Sequence, residues 1–116
     1  MTKNAVGIGI GTWAWGNKLL WGYEPKNDDI LLKKTFFDAI NGGLDFVDTA
    51  DSYGTGSLFG QSEKLIGNFL EELPRTKLKE ITIATKLAPF PWRIGRSGLN
   101  TAFQESNRRL NGNIKR

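Results

Sequence analysis

Three short apolar runs alternate with stretches of helical periodicity, and this alternation limits the fold more than any other feature of the chain. The runs are residues 5–11, 44–47 and 81–85, the last rich in β-branched residues and so strand-like. Asn27, followed by Asp28 and Asp29, predicts a helix start. Leu32, Phe36 and Ile40, with Phe37 beside them, give that helix an apolar face, and Asn41-Gly42-Gly43 stops it. A second helix enters at Ser62 and Glu63, carries Leu65, Ile66, Phe69, Leu70 and Leu73 on one side, and ends at Pro74. Ser97 is read as the cap of a third, with Leu99, Ala102, Phe103, Ser106 and Leu110 on its inner face and Gly112 beyond its end. Residues 113–116 read as the start of a fourth strand, cut short. The order β-α-β-α-β-α means an α/β chain with a parallel sheet and right-handed crossovers. At 116 residues, with no linker, it makes one domain.

Composition narrows the chemistry. The chain has no cysteine and no histidine. Disulfides, thiolate nucleophiles, histidine triads and histidine metal sites are excluded from it, and no metal is expected. No apolar run is long enough to span a membrane, and the start shows no cleavage-site pattern, so no membrane association and a cytoplasmic location are expected. The net charge of +4 favours anionic ligands mildly. The basic residues are scattered, and the locally basic end (Arg108, Arg109, Lys115 and Arg116) reads as a solvated helix face. A nucleic-acid-binding module would rest on charge alone, and no nucleic-acid partner is expected.

In a parallel sheet the C-terminal ends of all strands lie on one side, where α/β folds build their sites. Thr12 and Trp13, Asp48 and Tyr53, and Lys86 therefore converge there. A buried aspartate needs a partner, and Lys86 is the candidate. An ammonium beside a tyrosine favours the phenolate, which lets the phenol give or take a proton near neutral pH. Asp, Tyr and Lys together suit carbonyl reduction, with hydride arriving at carbon and the tyrosine protonating oxygen. Each residue also has a plainer reading: Asp48 as a turn cap, Tyr53 as an amphipathic wall, Lys86 as a solvated strand end. Asp51 and Ser52 read as loop residues. Gly9-Ile10-Gly11-Thr12-Trp13-Ala14 matches a dinucleotide fingerprint formally, but residues 12–16 do not look like the helix start that such a fingerprint requires. Trp13, Trp15, Trp21 and Tyr23 cannot all lie inside so small a core, and each is either a pocket wall or plain packing.

Gly11-Thr12-Trp13, Asp48-Thr49-Ala50-Asp51-Ser52-Tyr53-Gly54, Ser62-Glu63-Lys64-Leu65-Ile66-Gly67 and Ala84-Thr85-Lys86 resemble the aldo-keto reductases in order and spacing. The resemblance covers nearly the whole chain, and its 86–93 stretch and tryptophan-rich first loop look most like uncharacterised cyanobacterial and plastid members. The resemblance implies a (β/α)₈ TIM barrel that transfers hydride between NADP(H) and a small carbonyl substrate. It implies Tyr53 as proton donor, Lys86 as the partner that activates it, and Asp48 as the ion-pair partner of Lys86. It places Thr12, Trp13 and Asp48 at the nicotinamide and ribose end of the cofactor. Trp15, Trp21 and Trp92 are expected to line the carbonyl pocket. The preference for NADPH over NADH rests on family habit.

The chain also departs from the family pattern. The family's fourth catalytic residue is a histidine at the end of strand four, and its phosphate and amide cradle belongs to the second half of the barrel. A full barrel needs about 250 residues. Residues 1–116 are therefore expected to be an N-terminal fragment, the first three βα units of an incomplete barrel, and to be inactive alone. The alternative is a non-catalytic product that self-associates through its open sheet edges or pairs with a missing half-barrel.

Overall fold

A computed structural model describes residues 8–54, 60–91 and 93–114. The strand and loop expectations at residues 5–7, 55–59, 92 and 115–116 lie outside the described residues. The elements are β1 (Ile10–Gly11), α1 (Lys18–Trp21), α2 (Pro25–Asn41), β2 (Phe46–Asp48), α3 (Gln61–Glu71), α4 (Arg75–Glu80), β3 (Thr82–Ala84) and α5 (Gly95–Arg109). The three strands form one parallel sheet in the order β1-β2-β3. Gly11 lies opposite Asp48, and Asp48 opposite Ala84. Ile114 makes a parallel bridge to Ile83, where a fourth strand is expected.

The strands alternate in burial. Val47 and Ile83 point into the helical layer at 0% and 1% exposure, while Phe46, Asp48, Thr82 and Ala84 face the other side and stay partly exposed. The core lies on the helical side. Trp15, Phe36 and Phe69 meet there edge-on or tilted, with centroids 5.6–6.4 Å apart. Ile40, Leu65, Ile66, Leu70, Ile81 and Leu110 complete it, with Leu32 and Phe37 packed against its margin.

Several local expectations are corrected. α2 begins at Pro25, not Asn27, because proline's fixed φ suits the first helical position and Asp28 Oδ2 accepts from the Glu24 amide at 2.7 Å. α1 was not foreseen; Asn17 caps it by accepting from the Leu20 amide at 2.9 Å. α3 ends at Glu71, before Leu73 and Pro74, and Pro74 instead caps α4, its carbonyl accepting from Lys77 and Leu78 at 3.0 and 3.1 Å. On α5, Ala102, Ser106 and Leu110 are buried as expected, but Leu99 and Phe103 stand 44% and 46% exposed. The helix starts at Gly95 after Ile94, so Ser97 lies inside it and does not cap it.

α3 and α5 approach closely at Gly67. A Cβ there would lie 2.0 Å from the Arg109 carbonyl oxygen, and Asn111 Nδ2 donates to the Gly67 carbonyl at 2.9 Å. Gly67→Ala is therefore expected to destabilise the chain by about 1–3 kcal/mol, as overpacking does. Urea unfolding beside the exposed control Asn68→Ala measures this, and equal midpoints for the two variants would contradict the close approach.

Candidate active site

Asp48 closes β2, and Lys86 lies two residues beyond the end of β3. Backbone hydrogen bonds carry the strand pairing past the strand ends. The Thr12 amide donates to the Asp48 carbonyl at 3.1 Å, Thr49 to Ala84 at 2.9 Å, and Asp51 to Lys86 at 3.0 Å. This places Asp48 beside Lys86. The Lys86 ammonium donates to both carboxylate oxygens of Asp48, at 2.8 and 2.9 Å. Its nitrogen also lies 5.1 Å from the centroid of the Tyr53 ring, within cation–π range. The structure thus brings Asp48, Tyr53 and Lys86 together. Burial pulls the Lys86 pKa down, but hydrogen bonds to Asp48 and Tyr53, and their charge, outweigh it and raise it above the ordinary 10.5. Lys86 is a cation throughout the neutral range. The Lys86 and Asp48 side chains are about half exposed, at 52% and 47%, so solvent screens the pair. Its importance is geometric.

Tyr53 is set by its neighbours. Its amide donates to Ala50 and its carbonyl accepts from the Ser62 amide, both at 3.2 Å. Gly54, at φ +130°, lets Gln61 come close behind it: a Cβ there would lie 2.7 Å from the Gln61 Cβ. The other tyrosine is unsuited to proton transfer. Tyr23 is buried in the core, donates to Asp29 Oδ1 and accepts from Gln61 Nε2 at 3.4 Å. Burial, first, and the Asp29 hydrogen bond push its pKa up to about 12.

Thr12 is fully buried, and its hydroxyl is spent within the protein. Thr12 Oγ1 donates to the Asp48 carbonyl at 3.1 Å and lies 2.8 Å from Ser62 Oγ, which accepts from Thr49 Oγ1 at 3.3 Å. These three hydroxyls bind the ends of β1 and β2 to the start of α3; in this structure Thr12 holds Asp48 in place and offers no surface of its own. Trp13 is 56% exposed and packs edge-on against Trp21, centroids 5.9 Å apart. Trp15 is 7% exposed and belongs to the core, so its expected place in a carbonyl pocket is corrected. Trp21 walls a groove of about 320 Å³ with Trp15, Tyr23 and Leu31, which has no lining residue in common with Asp48, Tyr53 and Lys86. Trp92 lies outside the described residues. No group of three or more candidate metal-ligating side chains occurs among the described residues.

Sequence reasoning passed over the buried charges beside the site. Asp51 and Glu63 are fully buried, paired with Arg93 and Arg109. Both lie in stretches that carry the family resemblance, but only Glu63, in the first helical turn, has a local pattern of its own; Asp51 reads as a loop acid. Glu63 Oε1 accepts from Ser106 Oγ at 3.0 Å and from Thr85 Oγ1 at 3.4 Å, with Arg109 Nη2 3.6 Å away.

A profile of the aldo/keto reductase family matches residues 7–114. The chain is 49% identical over 105 residues to the chloroplastic pyridoxal reductase of Arabidopsis thaliana, covering 89% of this chain and 28% of that one. It is 35% identical over 101 residues to an aldo-keto reductase of Bacillus subtilis, covering 87% of this chain and 26% of that one. Among solved structures, the Klebsiella pneumoniae aldo/keto reductase with NADP and acetate superposes at a TM-score of 0.65 and 25% identity, over 89% of this chain and 30% of that one. The chain belongs to the aldo-keto reductase family. Its fold is three parallel βα units of the family's TIM barrel, and it spans under a third of the length of these relatives.

The raised pKa of Glu63 yields a stability prediction. Burial is the first cause; Arg109 and Ser106 oppose it, and Asp51 adds to it. A carboxyl with a raised folded pKa contributes stability that is fully present below its ordinary 4.5 and is lost as pH rises through the folded value. Glu63→Gln mimics the protonated form. It should melt with the wild type at acid pH and gain on it as pH rises. A wild type that gains on the variant with rising pH would mean that the Arg109 pair outweighs burial.

Proposed function

We propose that these residues form the proton-delivering part of an NADP(H)-dependent oxidoreductase that reduces a small carbonyl. The observation that carries this reading is the Lys86 ammonium, held by both Asp48 oxygens and placed 5.1 Å from the Tyr53 ring centroid. The Tyr53 hydroxyl gives its proton to the carbonyl oxygen as negative charge builds there. Lys86 offsets the charge left on the phenol oxygen, and Asp48 keeps Lys86 in position. Asp48, with its half-exposed carboxylate, and Trp13, with its exposed ring, are the residues that would hold the nicotinamide end of the cofactor. The nicotinamide, when bound, supplies the hydride. NADP(H) is supported by the bound NADP of the Klebsiella structure. An aromatic aldehyde of the pyridoxal kind is the substrate class supported by the 49% identical relative, which is named for that activity. For location we propose the cytoplasm. No helix among the described residues is long and apolar enough to cross a membrane. The plastid named for the Arabidopsis relative is the outcome that fractionation would have to exclude.

Tyr53→Phe in the full gene product is expected to lower NADPH-dependent pyridoxal reduction by about 10²- to 10⁴-fold, the usual worth of a general acid. Cofactor binding, followed by NADPH fluorescence, should be unchanged. Retained turnover in that variant would remove Tyr53 from the reaction.

A second reading is favoured by the uncovered sheet face of Phe46, Thr82 and Ala84 and by the exposed Ile94, Leu99 and Phe103. In it the 116 residues alone are inactive and associate, with themselves or with the rest of a barrel. Light scattering should then show species larger than one chain. A sharply monomeric, folded chain would end this reading.

A further inference from the structure

We propose that Asp51 and Arg93 are positioning residues, a buried clasp that holds the loop carrying Tyr53 against the loop that begins at Lys86. The proposal rests on the roles given above to Tyr53 and Lys86. Asp51 is reached from both loops at once. Its amide donates to the Lys86 carbonyl at 3.0 Å, its Oδ1 accepts from the Ala88 amide at 3.1 Å, and its carbonyl accepts from the Gly60 amide at 2.7 Å. Its Oδ2 lies 2.5 Å from Arg93 Nη1. That same nitrogen donates to the Ala88 carbonyl at 2.7 Å, and the guanidinium carbon stands 4.9 Å from the centroid of the Phe90 ring. The Asp51 side chain is 0% exposed and the Arg93 side chain 8%.

The arrangement has a direct geometric consequence. Asp51 precedes Tyr53 by two residues, and Ala88 comes two residues after Lys86. Asp51 and the Ala88 backbone that it binds are therefore each two residues from a member of the site. The Lys86 side chain is half exposed, so burial does not fix it. What fixes its origin is the backbone at residues 86 and 88, and Asp51 binds that backbone by amide and by carboxylate. A neutral hydrogen-bonding residue at 51 could still take the Ala88 amide. Only a carboxylate also recruits the guanidinium, which closes the 88–93 turn by its bond to Ala88. A buried ion pair of this kind contributes little net stability compared with apolar packing, and its use is to select one geometry.

The test reads Lys86 itself, without turnover, so its outcome is separate from that of the proposed carbonyl reduction. Lysine ε-carbons are labelled with ¹³C in the 116-residue chain, Lys86 is assigned by its loss in Lys86→Arg, and its titration is followed by NMR. Asp51→Asn and Arg93→Gln should each shift the Lys86 titration downward toward the ordinary lysine value of 10.5. The double variant should fall no further than the lower single one. Arg93→Lys, which keeps a cation beside Asp51 but cannot reach Ala88 equally well, should lie between wild type and Arg93→Gln. Arg96→Gln, which removes an exposed charge three residues after Arg93, should leave Lys86 unmoved. A purely structural ion pair would lower the melting temperature and leave the titration of Lys86 in the folded chain where it was, and that result overturns the proposal. If Asp51→Asn and Arg93→Gln do not fold, Arg93→Lys decides: a downward shift supports the clasp, and a wild-type titration overturns it.

Discussion

The parallel pairing of β2 with β3, carried past the strand ends, is the constraint on which the site depends. Phe46, Val47 and Asp48 lie opposite Thr82, Ile83 and Ala84, and the pairing continues through Thr49 to Ala84 and Asp51 to Lys86. With period-two alternation, a slip of one residue would turn Asp48 into the helical layer and Val47 out of it. The register is held by burial. Val47 and Ile83 are almost wholly enclosed by side chains from the helices, so any slip would expose them and bury a carboxylate. The same pairing that satisfies the core thus sets Asp48 and Lys86 side by side at the rim.

Polar groups then refine what the register provides. The hydroxyls of Thr12, Thr49 and Ser62 satisfy one another or the backbone in full burial, and so tie three elements together behind Asp48. Two ion pairs, Asp51 with Arg93 and Glu63 with Arg109, secure the loops and α5 to the same end of the sheet. Burying charge is costly, and such pairs seldom add net stability. Their presence around a half-exposed lysine indicates that geometry is what they maintain. The pKa directions agree with this view: burial dominates at Glu63, while partners dominate at Lys86.

Much of this was legible in the sequence because it is written in local patterns. Phe36 and Ile40 on α2, Leu65 to Leu70 on α3 and the β-branched run ending before Lys86 each show their period directly. The order of elements and the strand-end placement of Asp48, Tyr53 and Lys86 rest on those periods. What escaped depends on distant partners. Asp51 looks like any loop acid until Arg93, far along the chain, is seen beside it. Trp15 looks like a pocket wall until Phe36 and Phe69 close around it. The bonds of the Thr12 hydroxyl to the Asp48 carbonyl and to Ser62 likewise depend on partners 36 and 50 residues away. α4 is six residues of mostly charged sequence, anchored at the core's margin by Leu78, too short for periodicity to show. Leu99 and Phe103 lie on a helical face that α5 does not turn toward the described core.

The central claim is that Asp48, Tyr53 and Lys86 deliver the proton in a carbonyl reduction. A chimera tests it most directly, with residues 7–114 replacing the matching segment of the Arabidopsis pyridoxal reductase. Reduction of pyridoxal would be followed with NADPH and with NADH. The account predicts a chimera that turns over, and that loses turnover but keeps cofactor binding when Lys86 is replaced by methionine. A folded, cofactor-binding chimera that reduces nothing, or one that works equally well without Lys86, would contradict it.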